Sequence, residues 1–375
     1  MIFENSSRSI IMKIAVWAWA IDHPGAGMEI IAKDVCSELN KNYEVRLYSQ
    51  IRNPQYSKPQ TTFPIYFLGK NKFRYLSFRS IQAGFRFRKE MMKYHPDVII
   101  FVSPLLYPFI SRFLCGRKLK KVKHIVWEHL NYNSQNKRGH LKTLSRKIAA
   151  KKADQLIVLT QRDKDLYLQH CHCKNRPQVI PNFINLNRIT SGGDPLLTRK
   201  KQIVFSGRFA PEKQIDKLLN IWEKVQPSMP EWEMVLIGSG ALFDDIKNKI
   251  GVKKLEKIVL LGYQKDPGKI YTDSQILVLT SREEGFGLVL AEGLFCDLPL
   301  VSFDTDCGPA DIIDDGKNGF LIPCYDEDLF AQRLLQLMKD DHLREQFSQH
   351  AKEKRKQFLP EAVMLLWDRL LQEMK

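Results

Sequence analysis

The sequence predicts an α/β protein built from two doubly wound halves, each a mostly parallel sheet with helices on both faces, set across a cleft. Three observations predict it. Short apolar, β-branched runs alternate with helix-compatible stretches over most of the chain. The length of 375 residues suits two domains of ordinary size. A turn-rich break, Ser191-Gly192-Gly193-Asp194-Pro195, falls midway, and the strand–helix alternation starts afresh behind it.

In the first half, residues 13–19 read as a buried strand. A glycine loop, Pro24-Gly25-Ala26-Gly27, leads into a helix over 28–39. Strands follow at 43–48, 97–101, 123–127 and 155–159, with a short last one at 179–180 before Pro181-Asn182. Residues up to Met12 read as a tail, and Met12 is itself a candidate start. In the second half, strands are expected at 203–206, 233–237, 258–261, 276–279, 300–303 and 319–322. Helices are expected near 214–225, 241–250, 288–295 and 326–339. An amphipathic helix over 361–374 follows. The expected division is a first domain over 1–184, a linker over 185–200, a second domain over 201–358, and a helix over 359–375 crossing back to the first.

Composition narrows the classes. Hydrophobic residues make up 44% and charged residues 27%, which suits well-packed cores. The seven cysteines have no framework spacing and no secretory signal pattern precedes them, so a reducing, cytosolic setting is expected. A spanning helix needs about 20 apolar residues. The best run, 98–110, is shorter and holds Pro104 and Pro108. The net charge of +16 is lopsided: residues 1–190 hold 33 lysines and arginines against 12 acids, and 191–375 hold 25 against 30. The first half should face something anionic, whether a membrane surface, a phosphorylated substrate or nucleic acid.

Glu284-Gly285-Phe286-Gly287-Leu288 carries a carboxylate through a glycine loop to a helix start, and Glu292 sits about a turn inside that helix. Free N–H groups at a helix N-terminus attract anions such as a diphosphate, and the flanking carboxylates suit sugar or ribose hydroxyls. An ordinary loop–helix junction with solvated glutamates has the same local pattern. Gly207-Arg208-Phe209-Ala210-Pro211-Glu212-Lys213 follows a strand, where Arg208 and Lys213 can hold a diphosphate or remain solvated loop cations. Gly238-Ser239-Gly240 also follows a strand. It fails as a dinucleotide fingerprint, because Phe243 stands where the third glycine belongs and Asp244 and Asp245 follow at once, whereas the ribose-binding acid should come about 20 residues on. Gly262-Tyr263-Gln264 is either a nucleobase contact or a plain turn. Glu128-His129 closes a strand of the first half and should face the cleft. His170-Cys171-His172-Cys173 has no second ligand pair, so no metal site is assigned.

Taken in order, these segments resemble the family-4 retaining glycosyltransferases, with the two-Rossmann GT-B architecture, of the kind acting in bacterial lipopolysaccharide, capsule or other surface-glycan assembly. The resemblance also rests on Leu298-Pro299-Leu300-Val301-Ser302, Asp306-Cys307-Gly308-Pro309, Asp315-Gly316-Lys317-Asn318-Gly319 and Ile180-Pro181-Asn182. It implies that Arg208 and Lys213 grip the donor diphosphate, beside Gly207. Glu284, with the amides of Phe286, Gly287 and Leu288 and the loop glycine Gly285, would hold the transferred sugar and phosphates. Glu292 would bind the ribose, with Tyr263 at the base. His129 would contact the sugar near its reacting carbon, and Gly27 would let backbone approach the diphosphate. Two departures stand out. Ala26 separates Gly25 from Gly27, and Asp297 replaces a frequent glycine after Cys296.

The resemblance implies a hexosyl or N-acetylhexosaminyl transfer, with retention by front-face attack, from a nucleotide-sugar of the UDP type. Cations and helix N-termini would stabilise the leaving diphosphate, with no cofactor and no metal. Residues 70–93 interleave Phe73, Leu76, Ile81, Phe85 and Met92 with Arg74, Arg79, Arg86, Arg88 and Lys89, a pattern suited to an anionic bilayer interface. The expected setting is the inner face of the cytoplasmic membrane, bound peripherally, beside a lipid-linked or glycan acceptor. Two other readings stay open on residues alone: another GT-B enzyme, such as a nucleotide-sugar epimerase, or a basic nucleic-acid-binding protein. Basic charge by itself gives only non-specific affinity, and no recognition motif accompanies it, so no nucleic-acid partner is assigned.

Overall fold

The computed structural model describes residues 11–21, 27–52, 61–69, 78–133, 139–186, 189 and 194–375. The tail up to residue 10, the loop residues 24–26, the 70–77 part of the basic stretch and the linker residues 187–188 and 190–193 lie outside them. Two parallel sheets carry the fold. The first comprises β1 (Lys13–Ala18), β2 (Glu44–Ser49), β3 (Ile65–Phe67), β4 (Val98–Val102), β5 (Lys123–Trp127), β6 (Gln155–Val158) and β7 (Gln178–Val179). The second comprises β8 (Gln202–Ser206), β9 (Glu233–Ile237), β10 (Ile258–Gly262), β11 (Ile276–Leu279), β12 (Leu300–Asp304) and β13 (Gly319–Pro323). Their orders are β3-β2-β1-β4-β5-β6-β7 and β10-β9-β8-β11-β12-β13.

Both orders reverse at their first strand, between β1 and β4 and between β8 and β11. Loops at such a switch point part to opposite faces and leave a crevice beyond the carboxyl ends of the strands. The centres of the interior strands are apolar, as parallel strands covered on both faces require, with polar residues confined mostly to strand ends. Val98–Val102 and Ile276–Leu279 are wholly buried. The edge strand β3 was not foreseen, nor were the short helices Gly268–Asp273 and Pro309–Ile312. The segment after residue 339 adds a separate helix, Asp341–Lys354. Its start is fixed by Asp340, whose carboxylate accepts the N–H of Leu343.

Helix Pro360–Glu373 opens on a proline, which fits the first helical position. It buries Val363, Trp367, Leu370 and Leu371 and packs on helix Gly27–Leu39 of the first half. Trp367 meets Trp127, at the end of β5, edge to face at 5.1 Å. Each such buried side chain is worth about 1.5–3 kcal/mol. One large core cluster therefore runs through both sheets. Among the described residues, no helix is long and apolar enough to cross a membrane.

Candidate active site

The loop after β8 is shaped by glycines on its neighbour. Gly207 N–H donates to the Ile237 carbonyl at 3.0 Å, and Phe209 N–H to that of Ser239 at 2.8 Å. Gly238 has φ +141°, and a Cβ there would stand 1.8 Å from the Gly207 oxygen. Gly238-Ser239-Gly240 is thus a floor on which the 207–213 loop lies flat, which gives these glycines a purpose without a dinucleotide. A 3-10 turn over Pro211–Lys213 and a left-handed Gln214 (φ 47°) then turn the chain into helix Ile215–Val225. Thr280, behind β11, donates its hydroxyl to the Lys213 carbonyl at 3.1 Å.

This arrangement delivers Lys213 to Glu284. The ammonium and the carboxylate pair at 2.6 Å, both largely buried. Arg208 instead extends outward, paired with Glu212 at 2.6 Å and with its side chain 71% exposed. Helix Leu288–Phe295 starts behind Gly287, which is left-handed at φ +90°. Glu292, one turn in, accepts the Tyr271 phenol at 3.2 Å. Tyr271 is buried, and burial followed by the nearby Glu292 charge drives its ionisation well above the ordinary range, so it stays a donor. Phe286 is a core side chain stacked edge-on against Phe358, so only its backbone is offered to a ligand.

The first sheet supplies the opposite wall. Gly27 opens helix Gly27–Leu39, and a Cβ on it would stand 3.0 Å from Leu288 Cδ1. Two helix N-termini, one from each half, therefore come together, and both favour anions. Across from them, the His129 carbonyl lies over Gly285, where a Cβ would be 2.1 Å from the oxygen. Asn131 adds a hydrogen bond from its amide to the Glu284 carbonyl at 2.7 Å.

The 128–133 loop is held from beneath by buried carboxylates. Glu128 Oε1 accepts the N–H groups of His129 (3.1 Å) and Leu130 (3.0 Å). Its Oε2 takes Arg146 Nε at 2.7 Å and the Tyr167 hydroxyl at 2.8 Å. Asp163 accepts the Tyr132 N–H at 2.7 Å. Burial, with Glu128 beside it, pushes the Asp163 carboxyl up to about 8. The His129 ring packs on Trp127 at 4.2 Å, and burial lowers its pKa to about 3. It is therefore a neutral imidazole, and its Nε2 is buried with no hydrogen-bond partner among the described residues.

The structure thus brings Gly27, His129, Gly207, Lys213, Gly285, Phe286, Gly287, Leu288, Glu284 and Glu292 around one crevice, with Arg208 at its rim. Tyr263 stands apart, 53% exposed after the edge strand β10. The Asp306–Pro309 segment lies on the seam between the halves. Asp306 accepts from Asn133 at 3.1 Å, and Asp311 from the Gln161 N–H at 3.0 Å. Arg162 forks onto Asp304 at 2.5 and 3.1 Å. Reading the sequence missed Asn131 and Tyr271 as parts of the site, because each acts through a partner distant in the chain. His170, in the His-Cys tract, stacks on Tyr132 at 5.2 Å. Among the described residues, no group of three or more His, Cys, Asp or Glu is placed to hold a metal ion. An open hollow of about 560 Å³ beside helix Asp341–Lys354, lined by Arg199, Asp297 and His342, shares none of the crevice residues.

Comparison with known proteins bears on the family and the fold. The Glycosyltransferase Family 4 model matches residues 25–188, and the Glycosyl transferases group 1 model matches residues 193–354. The amylovoran biosynthesis glycosyltransferase AmsD of Erwinia amylovora is 27% identical over 364 residues, which is 92% of this chain and 95% of that protein. Among solved structures, a mutant of TarM from S. aureus with fondaparinux, α-GlcNAc-glycerol and UDP superposes with TM-score 0.80 at 17% identity. It covers 96% of this chain and 99% of that one. Anabaena HepE with UDP and glucose superposes with TM-score 0.78 at 16% identity, covering 96% and 100%. With the two models dividing almost the whole chain between them, the protein belongs to the family-4, group 1 glycosyltransferases and carries their GT-B fold.

Proposed function

We propose that this glycosyltransferase moves a hexosyl or N-acetylhexosaminyl unit from a UDP-linked donor to a lipid-linked or surface-polysaccharide acceptor. Transfer proceeds with retention of anomeric configuration, at the inner face of the cytoplasmic membrane. The observation that carries the reading is the Lys213–Glu284 pair at 2.6 Å, set beside two opposed helix N-termini. Cleaving a sugar–diphosphate bond builds negative charge on the leaving oxygen. Preorganised positive charge aimed there lowers the barrier. Lys213, Arg208 and the helix starts at Gly27 and Leu288 supply that charge from the chain itself, so the step runs without a metal.

A diphosphate competes with Glu284 for the Lys213 ammonium. As the donor enters, the carboxylate is released toward the sugar hydroxyls while Lys213 turns to the phosphates. Glu292, oriented by Tyr271, takes the ribose hydroxyls. Neutral His129 offers Nε2 to a sugar hydroxyl rather than a charge to the phosphates. No side chain is assigned as a nucleophile. The acceptor attacks from the face the leaving group departs, and the β-phosphate oxygen takes its proton. The UDP and sugar ligands named for TarM and HepE are those proteins' own, and they support the donor class proposed here.

The test is a donor panel of UDP-Gal, UDP-Glc, UDP-GlcNAc, UDP-GalNAc and GDP-Man, scored by binding and slow hydrolysis in EDTA. It is run on the native chain, Lys213→Ala and Glu292→Ala. One UDP-sugar should stand out. Lys213→Ala should lower its turnover about 10²–10³-fold, as for loss of an oxyanion donor, and Glu292→Ala should weaken binding. Turnover near that of the native chain in both variants would sink the assignment, and formation of an epimerised donor without acceptor would name an epimerase instead.

A further inference from the structure

The first sheet carries three helices side by side on one face: Phe78–Tyr94, Tyr107–Phe113 and His140–Lys152. Each follows a parallel strand and leads onward in one direction along the sheet, from β3 past β2 and β1 to β4, then from β4 to β5 and from β5 to β6. Right-handed crossovers in one direction put all three on the same face. They pack tightly there. Gly84 lies so near Phe113 that a Cβ would meet its ring at 2.6 Å, and Phe85 meets Phe113 edge to face at 5.0 Å. Their N-terminal ends lie at the carboxyl edge of the strands, which is the edge that forms the crevice.

That rim is where the apolar side chains are left uncovered. Phe78, Ile81 and Phe85 are 72%, 40% and 61% exposed, at helical spacings that align them in one stripe. Leu141 and Leu144, in the first turns of the third helix, are 61% and 52% exposed. Leu130, in the loop holding His129, joins them at 42%. Farther along the same helices the exposed residues are cations, among them Arg86, Lys89, Arg112, Lys147, Lys151 and Lys152. Across the three helices there is one acid, Glu90. A protein partner for such a face needs an acidic surface with an apolar stripe. An anionic bilayer offers both at once, and each cation near its surface adds about five-fold to the partition coefficient.

We infer that the Phe78–Phe85 stripe and the Leu141–Leu144 pair form a lip that inserts into an anionic bilayer, with the basic flank of the same helices on the lipid headgroups. The inference rests on the proposed membrane-side function and adds an orientation to it. The crevice mouth then faces the bilayer, and a lipid-linked acceptor reaches Glu284 without leaving the membrane. Phe78, Phe85, Leu141 and Leu144 belong to the first half, and none of them is among the donor-binding groups.

The test is co-sedimentation of the full chain with phosphatidylcholine vesicles and with vesicles containing phosphatidylglycerol, at low and high salt. UDP-sugar hydrolysis in solution is measured in parallel. The native chain should sediment with the anionic vesicles and dissociate in high salt. The variant Phe78→Ser/Phe85→Ser/Leu141→Ser/Leu144→Ser should lose at least ten-fold in partitioning at low salt with its hydrolysis rate unchanged. Lys147→Glu/Lys151→Glu should lose about as much at low salt, and its gap from the native chain should close at high salt. No binding of the native chain to anionic vesicles at low salt would overturn the inference, as would unchanged binding by the four-serine variant. A self-association that the four-serine variant abolishes, without vesicle binding, would assign the face to a second copy and also overturn it. Loss of hydrolysis in the native chain would count against the proposed function instead, since vesicle binding does not depend on it.

Discussion

Gly285→Ala is the sharpest single probe of the crevice. The added methyl would stand 2.1 Å from the His129 oxygen, whereas real Cβ contacts essentially never fall under 3.0 Å, so the two loops must part by at least about 0.9 Å. The His129 carbonyl cannot swing aside, because the N–H groups of residues 129 and 130 are held on Glu128, which is locked by Arg146 and Tyr167. The 2.7 Å bond from Asn131 to the Glu284 carbonyl would stretch beyond hydrogen-bonding range. A misplacement of about 1 Å at reacting groups lowers rates by about 10²-fold. The clash lies between the halves and outside either core, so stability should fall only by about one hydrogen bond, roughly 1 kcal/mol. The assay is kcat/KM with the donor that turns over, beside a thermal melt and Gly251→Ala as control, since nothing lies within 4 Å of a Cβ there. A kcat/KM within about three-fold of the native value would refute the claim that the loops must touch for transfer.

Three further outcomes follow from the same geometry. Glu128→Ala strands a buried Arg146 and should cost about 3–5 kcal/mol in denaturant unfolding, with Glu128→Gln intermediate; a loss under about 1 kcal/mol would mean the pair is solvated. Tyr271→Phe removes one hydrogen bond to the ribose-side carboxylate and should raise the donor KM about five- to ten-fold while leaving kcat nearly unchanged; a matching fall in kcat would place Tyr271 closer to the chemistry. The His124 and His129 pKa values are lowered by burial to about 4 and about 3, so the native state resists protonation that the unfolded chain accepts near 6.5. Their contribution to stability is complete above the unfolded value and is lost as pH falls from there toward 4 and 3, so melting temperature should drop across that window. Replacing both with glutamine should flatten the drop, and an unchanged slope would show that other groups govern it.

Much of this architecture was legible in the residues, for definite reasons. Interior strands such as 98–102 and 276–279 are continuous apolar runs because both their faces are covered, and such runs stand out in any sequence. The glycine loop around Glu284–Leu288 was legible because a turn into a helix start needs left-handed backbone, which Gly287 supplies. What escaped depended on partners remote in the chain. Asn131 is a generic loop residue until the Glu284 carbonyl meets it, and Tyr271 reads as core until its hydroxyl is seen to donate a hydrogen bond to Glu292. β3, three residues on an edge behind Pro64, is too short to show a period. The helix Asp341–Lys354 hid because its polar surface outweighs its buried Phe347 and Ala351. Gly238 was visible as a glycine after a strand, but only the Gly207 oxygen lying over it reveals why no side chain fits there.

The crossing helix Pro360–Glu373 sets an order of events during synthesis. The first sheet leaves the ribosome early, yet one side of Trp127 stays uncovered until Trp367 arrives, after the whole second sheet has been made. At bacterial and eukaryotic elongation rates that interval is on the order of ten to fifty seconds. The nascent first half must wait through it with an aromatic seam open to water and to chaperones. The last helix therefore acts as the latch on the earliest-made sheet, closing its aromatic seam only after the second sheet has been made.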